Sequence, residues 1–122
     1  MSSLRLAVLS TILVFAIACG SDSSSPTSPA PSGPSTPVVV PAGAEFLGNR
    51  AFVPGDLSIT VGTTVTWMNT DSTSHTSTSD GPGWNSGTIA PGRQFSFAFQ
   101  TAGTFPYHCT IHPGMVGTVV VR

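Results

Sequence analysis

Leu57-Ser58-Ile59-Thr60-Val61-Gly62-Thr63-Thr64-Val65-Thr66-Trp67-Met68-Asn69 is the stretch whose pattern decides the fold class. Leu57, Ile59 and Val61 alternate with Ser58 and Thr60, and beyond Gly62-Thr63 the alternation resumes with Val65 and Trp67 set between Thr64, Thr66 and Met68. A period of two sends successive side chains to opposite faces of an extended chain, so the stretch reads as strand, turn, strand. Further on, Phe95, Phe97 and Phe99 alternate with Ser96, Ala98 and Gln100, which would line one sheet face with three rings. Thr101-Ala102-Gly103 follows as a turn, Thr104 to Cys109 as another strand, and Val116 to Val121 as a closing β-rich segment. Gly81-Pro82-Gly83 and Pro91-Gly92 punctuate the middle as turns. Nothing here shows sustained helical periodicity with caps. The expectation is an all-β domain, a sandwich of two sheets with Trp67, the phenylalanine row and the aliphatic faces packed between them.

Outward in the other direction the composition changes. Residues 1–18 read as an export signal: Arg5 supplies the positive start and Leu6 to Ala18 carries no charge. The apolar run is shorter than the roughly 20 residues that a membrane-spanning helix needs. Ala16-Ile17-Ala18-Cys19, followed by Gly20-Ser21-Asp22-Ser23, resembles the lipobox of bacterial lipoproteins, in which the signal is cleaved before a cysteine that is lipidated. That resemblance implies a lipid anchor on Cys19 and a place in the bacterial cell envelope, facing the periplasm or the cell exterior. Residues 19–42 are almost entirely Ser, Pro, Thr, Gly and Ala, with Pro26, Pro29, Pro31, Pro34, Pro37 and Pro41 recurring. Such a segment cannot bury enough apolar surface to offset the entropy of ordering and reads as a disordered linker. The folded domain is then expected over residues 43–122.

One loop of that domain concentrates soft donors. Tyr107-His108-Cys109-Thr110-Ile111-His112-Pro113-Gly114-Met115 places a thiol, an imidazole and a thioether at the spacing Cys-x2-His-x2-Met, with Pro113-Gly114 supplying a bend. Each donor alone is an ordinary residue: a small buried hydrophobe, a solvated histidine, a core methionine. Together they match the chemistry of copper, for which two histidines, one cysteine and a weak axial methionine form an electron-transfer arrangement. The second histidine follows from strand alternation. If Cys109 faces the metal, its neighbour His108 faces away, and of the three histidines in the chain only His75 is left. An unpaired Cys109 in an exported protein would be open to oxidation, and ligation protects it.

Residues Phe52-Val53-Pro54, the stretch Val61 to Asn69 with Asp71 and His75, Pro91-Gly92, and Tyr107 to Val121 together resemble the cupredoxins of the plastocyanin and amicyanin type. The resemblance covers essentially the whole domain. It implies a Greek-key β-sandwich, one copper ion cycling between Cu(I) and Cu(II), and His75, Cys109, His112 and Met115 as its ligands. The short spacing before Met115 resembles amicyanin. Thr76 stands where many relatives have Asn, which leaves the hydrogen bonding across the ligand loops to be found. The resemblance further implies that His112 lies near the surface within an apolar patch of Pro113, Gly114, Met115 and Pro82.

Charged residues make up 7% of the chain and the formal net charge is −1, so there is no basic stripe for nucleic acid. The function expected is that of a monomeric one-electron carrier, meeting transient redox partners such as a cytochrome or an oxidase and tethered to a membrane by its lipid. The alternative is copper binding or delivery without redox exchange, which the absence of Met-rich or His-rich tracts disfavours. A catalytic copper would need more histidines than His108 offers, and Cys109 with His112 lacks an orienting acid for nucleophilic catalysis, so no enzyme is expected. Zinc would gain little from the methionine.

Overall fold

The computed structural model describes residues 33–122. The expected leader, and Cys19 with it, lies outside the described residues. Seven strands appear among them: β1 Ser35–Val40, β2 Asp56–Ile59, β3 Thr64–Asn69, β4 Thr78–Ser79, β5 Gln94–Ala98, β6 Gly103–His108 and β7 Val116–Val121. They form two sheets, one ordered β1-β3-β5 and the other β2-β7-β6-β4. β1 runs parallel to β3 and β2 parallel to β7, while β3/β5, β6/β7 and β4/β6 are antiparallel. Two short 3-10 turns, Ala44–Phe46 and Gly48–Arg50, are the only helical elements among the described residues. The all-β, two-sheet expectation holds.

The stretch Leu57 to Asn69 is not a hairpin but a corner. β2 and β3 belong to different sheets, and the turn between them is bonded to both, through Val61 N to Arg122 O at 3.1 Å and Gly62 N to Phe99 O at 2.7 Å. Gly62 has φ +89°, a left-handed conformation that glycine adopts without a Cβ penalty. Val61 therefore leaves the alternation and stands 47% exposed at the corner.

The domain boundary differs from the expectation. Ser35 to Val40, counted with the linker on composition, is β1, with Val38 and Val40 fully buried and the strand paired along β3 from Ser35↔Thr64 to Val40↔Asn69. Pro34, Pro37 and Pro41 carry the linker's proline rhythm into the fold, where Pro37 is accepted because β1 is an edge strand. Val38 and Val40 bury a face that the prolines around them disguise.

Between the sheets lies an aromatic cluster. Trp67 stacks on Trp84 at 5.3 Å between centroids and meets Tyr107 edge-on at 5.5 Å. Phe99 is buried against Trp84 at 5.2 Å, with Phe95 and Phe97 half-buried in the same layer, as the phenylalanine row predicts. Trp84, unremarked in the sequence because it follows a Gly-Pro-Gly turn, is the hub of this layer and donates Nε1–H to Ser77 Oγ at 2.9 Å. Burying each such ring contributes about 1.5–3 kcal/mol, and a well-placed aromatic pair about 0.5–1.5 more. Tyr107 packs flat on β7 at the register position of Gly117, where any Cβ would come within 2.5 Å of the ring. Burial there pushes its phenol up to about 12, with the charge of Asp56 acting in the same direction.

Candidate metal centre

The site forms at the end of the sandwich where β3 finishes and β6 turns toward β7. β3 delivers Asn69, whose buried amide donates to Thr73 O and Ile89 O, both at 2.8 Å, and whose oxygen accepts from Asp71 N at 2.9 Å. This ties the loop after β3 into a fixed shape. His75 is then clamped by a two-way backbone bridge to Ile89, at 3.1 and 2.8 Å. Its ring is completely buried.

Asp71 determines which nitrogen of His75 is available. Its carboxylate accepts from Gly43 N at 3.0 Å, Ala44 N at 3.1 Å, Ser72 N at 2.7 Å and Thr73 Oγ1 at 3.1 Å, and it faces His75 Nε2 at 2.9 Å. The backbone donor at Gly43 holds the carboxyl well below its ordinary range, against burial, and His75 and the remaining donors add to it. A carboxylate this well supplied with donors is ionised, so His75 Nε2 carries the proton and donates. The lone pair of Nδ1 is left facing inward.

The other loop is built on β6 and β7. Cys109, buried at the end of β6, receives a hydrogen bond from Thr76 N to Sγ at 3.3 Å. Cys109 N donates to Met115 O at 3.0 Å and Met115 N to His112 O at 3.3 Å, closing the loop on itself. His112 Nδ1 comes within 3.1 Å of His75 Nδ1 and 3.9 Å of Cys109 Sγ. The donor atoms of His75, Cys109 and His112 all lie within 4.8 Å of one another. Met115 is fully buried at the base of the same loop.

The doubt about Thr76 resolves into a specific contact. Its hydroxyl accepts from Thr110 N at 2.8 Å and lies 3.1 Å from Thr110 Oγ1, so it links the two ligand loops through a side chain one atom shorter than Asn. His108 points away from the donors, as alternation requires, and pairs through Nδ1 with Asp80 at the surface. The apolar rim is composed differently from the expected one. Met115 is buried, and Pro82 lines a groove with Phe97, Phe99 and Phe105, while Ile111 and Val116 on either side of the buried Met115, and Phe46 next to Glu45, are exposed. Sequence reasoning gave no role to Glu45, Asn69 or Asp71 at the site. Asp71 carries a local signal, a short acidic side chain in the Asn-Thr-Asp-Ser-Thr-Ser-His loop; the contribution of Glu45 is purely tertiary.

Two inward imidazole nitrogens and a buried thiol with a backbone N–H already aimed at its sulfur form a donor set of mixed softness that fits copper. The family model described as copper-binding proteins of the plastocyanin/azurin family matches residues 46–122. A plastocyanin from Scenedesmus fuscus is 36% identical over 98 residues, covering 70% of this chain and 99% of its own length. The amicyanin of Paracoccus denitrificans is 35% identical over 77 residues, 55% of each chain. Among solved structures, a purple cupredoxin from Nitrosopumilus maritimus superposes with a TM-score of 0.67 at 33% identity, covering 71% of this chain and 99% of that one. The chain belongs to the plastocyanin/azurin family of copper-binding proteins, the cupredoxins.

Proposed function

We propose that this protein is a one-electron carrier held outside the cytoplasm, with a single copper ion bound by His75, Cys109, His112 and, more weakly, Met115. The observation that carries the reading is the convergence of His75, Cys109 and His112 within 4.8 Å, from two loops joined through the Thr76 hydroxyl. The bound metal supplies one-electron exchange between Cu(I) and Cu(II).

The residues around it supply the conditions for fast exchange. His75 cannot swing, because its backbone is bridged to Ile89 and its ring to Asp71, so this ligand would keep its place in both oxidation states. Cys109 contributes the soft anionic donor, and the amide of Thr76 withdraws charge from its sulfur and helps set the potential. Met115, buried beneath the loop, would offer its thioether as the weaker, fourth donor. His112, 22% exposed, offers an edge through which a docked partner exchanges electrons.

Few charges and a rim carrying Phe46 and Ile111 suit brief, small contacts with another redox protein, such as a cytochrome or an oxidase. The export signal and the lipobox-like Cys19 support tethering of a monomer to a membrane of the bacterial envelope. Cu(II) added to the full chain should give an intense blue colour, and Cys109→Ser should abolish it. A colourless copper complex of the wild type would overturn the reading; a coloured one that exchanges no electrons with any cytochrome would favour copper delivery instead.

A further inference from the structure

All three histidines of the chain face a carboxylate. Asp71 meets His75 in the core, Asp80 meets His108 at the surface, and Glu45 Oε2 lies 3.5 Å from His112 Nε2. The third contact has a built origin. Asp71 accepts from the amides of Gly43 and Ala44, which fixes the 3-10 turn Ala44–Phe46 with Ala44 buried beneath it. Glu45, the next residue, is thereby carried to the outer edge of His112, with the two side chains 26% and 22% exposed.

We propose that Glu45 is a positioning residue for His112, keeping its ring turned so that Nδ1 faces Cys109 and His75. The inference rests on His112 being a copper ligand. A histidine that binds through one nitrogen is oriented by what its other nitrogen meets, and a carboxylate there also makes the ring a stronger donor. Asp71 provides this for His75 directly and for His112 through the turn that it anchors. One buried carboxylate thus sets the orientation of both rings. A stronger donor facing a negative charge favours the more highly charged, oxidised state of the metal.

The test uses the full chain loaded with copper, comparing Glu45→Ala, Glu45→Gln and, as an equal loss of charge at a carboxylate that contacts neither ligand histidine, Asp56→Asn. Reduction potential is measured together with the rate of copper loss to a chelator. Glu45→Ala is expected to lose copper about 10-fold faster and to show a raised potential. Glu45→Gln, which keeps an acceptor oxygen, should recover retention while its potential stays raised, and Asp56→Asn should change neither. Wild-type behaviour of Glu45→Ala, no recovery in Glu45→Gln, or equal shifts in Asp56→Asn would each overturn the positioning role. A wild type that takes up no copper at all would overturn the copper assignment along with it.

Discussion

His75 and His112 face each other across 3.1 Å, but one belongs to the interior and the other to the surface. His75 is 0% exposed, in a loop whose backbone is bridged to Ile89 and which is tied together by hydrogen bonds of Asn69 and Asp71. His112 sits 22% exposed on a loop that closes on its own backbone and bends at Gly114, φ +95°, with a single carboxylate beside it. The loop after β3 thus acts as the wall of the site and the loop after β6 as its door. The difference teaches where rigidity comes from. Hydrogen bonds to buried acceptors hold the wall, because leaving any of those donors unpaired would cost about 1–3 kcal/mol.

The largest test of this contrast replaces each ring by a hole. In His112→Gly, imidazole added from solution should enter and restore the colour of the copper form; in His75→Gly it should not, because that ring is sealed from solvent. Rescue of both variants alike, read by absorbance during an imidazole titration, would show that the wall opens as readily as the door.

Next in size is Asp71→Asn. Removing a carboxylate that serves five donors should destabilise the metal-free protein by about 2–4 kcal/mol at pH 7, measured by urea unfolding. The pH dependence carries a sign. The carboxyl of Asp71 lies below its ordinary 3.8 in the fold, so its stabilisation is complete above about pH 4 and is lost as pH falls below it. The gap between wild type and variant should narrow on acidification, and a gap that widened would contradict the assignment.

Smallest is Thr76→Val, which removes the hydroxyl joining the loops while nearly keeping the shape. A loss of about 1 kcal/mol is expected, with faster amide exchange at Thr110. Unchanged exchange there would mean that door and wall are held together by something other than this hydroxyl.

Much of this molecule is legible in its sequence for simple reasons. Period-two alternation in Val65 to Met68 and Phe95 to Phe99 is a local property of strands, and the Cys109, His112 and Met115 spacing lies within one loop, so both are visible without a fold. Alternation also set His108 aside, since Cys109 and His108 must face opposite ways. The N-terminal edge was hidden because Pro34, Pro37 and Pro41 look like linker, and only pairing with β3 reveals that Val38 and Val40 are core. Pro82 lies by Phe97, Phe99 and Phe105 for a related reason: its distance from the ligand loop is decided by how β4 runs back along β6.

By itself, then, the sequence determined most of the strands, the sandwich class and the identity of the soft donors, because these depend on neighbours a few residues apart. The tertiary structure alone decided that β2 and β3 part into different sheets, that Thr76 reaches Thr110, and that Asp71 anchors the turn carrying Glu45 to His112. Those contacts join residues tens of positions apart, and no local pattern records a partner that only packing brings within reach.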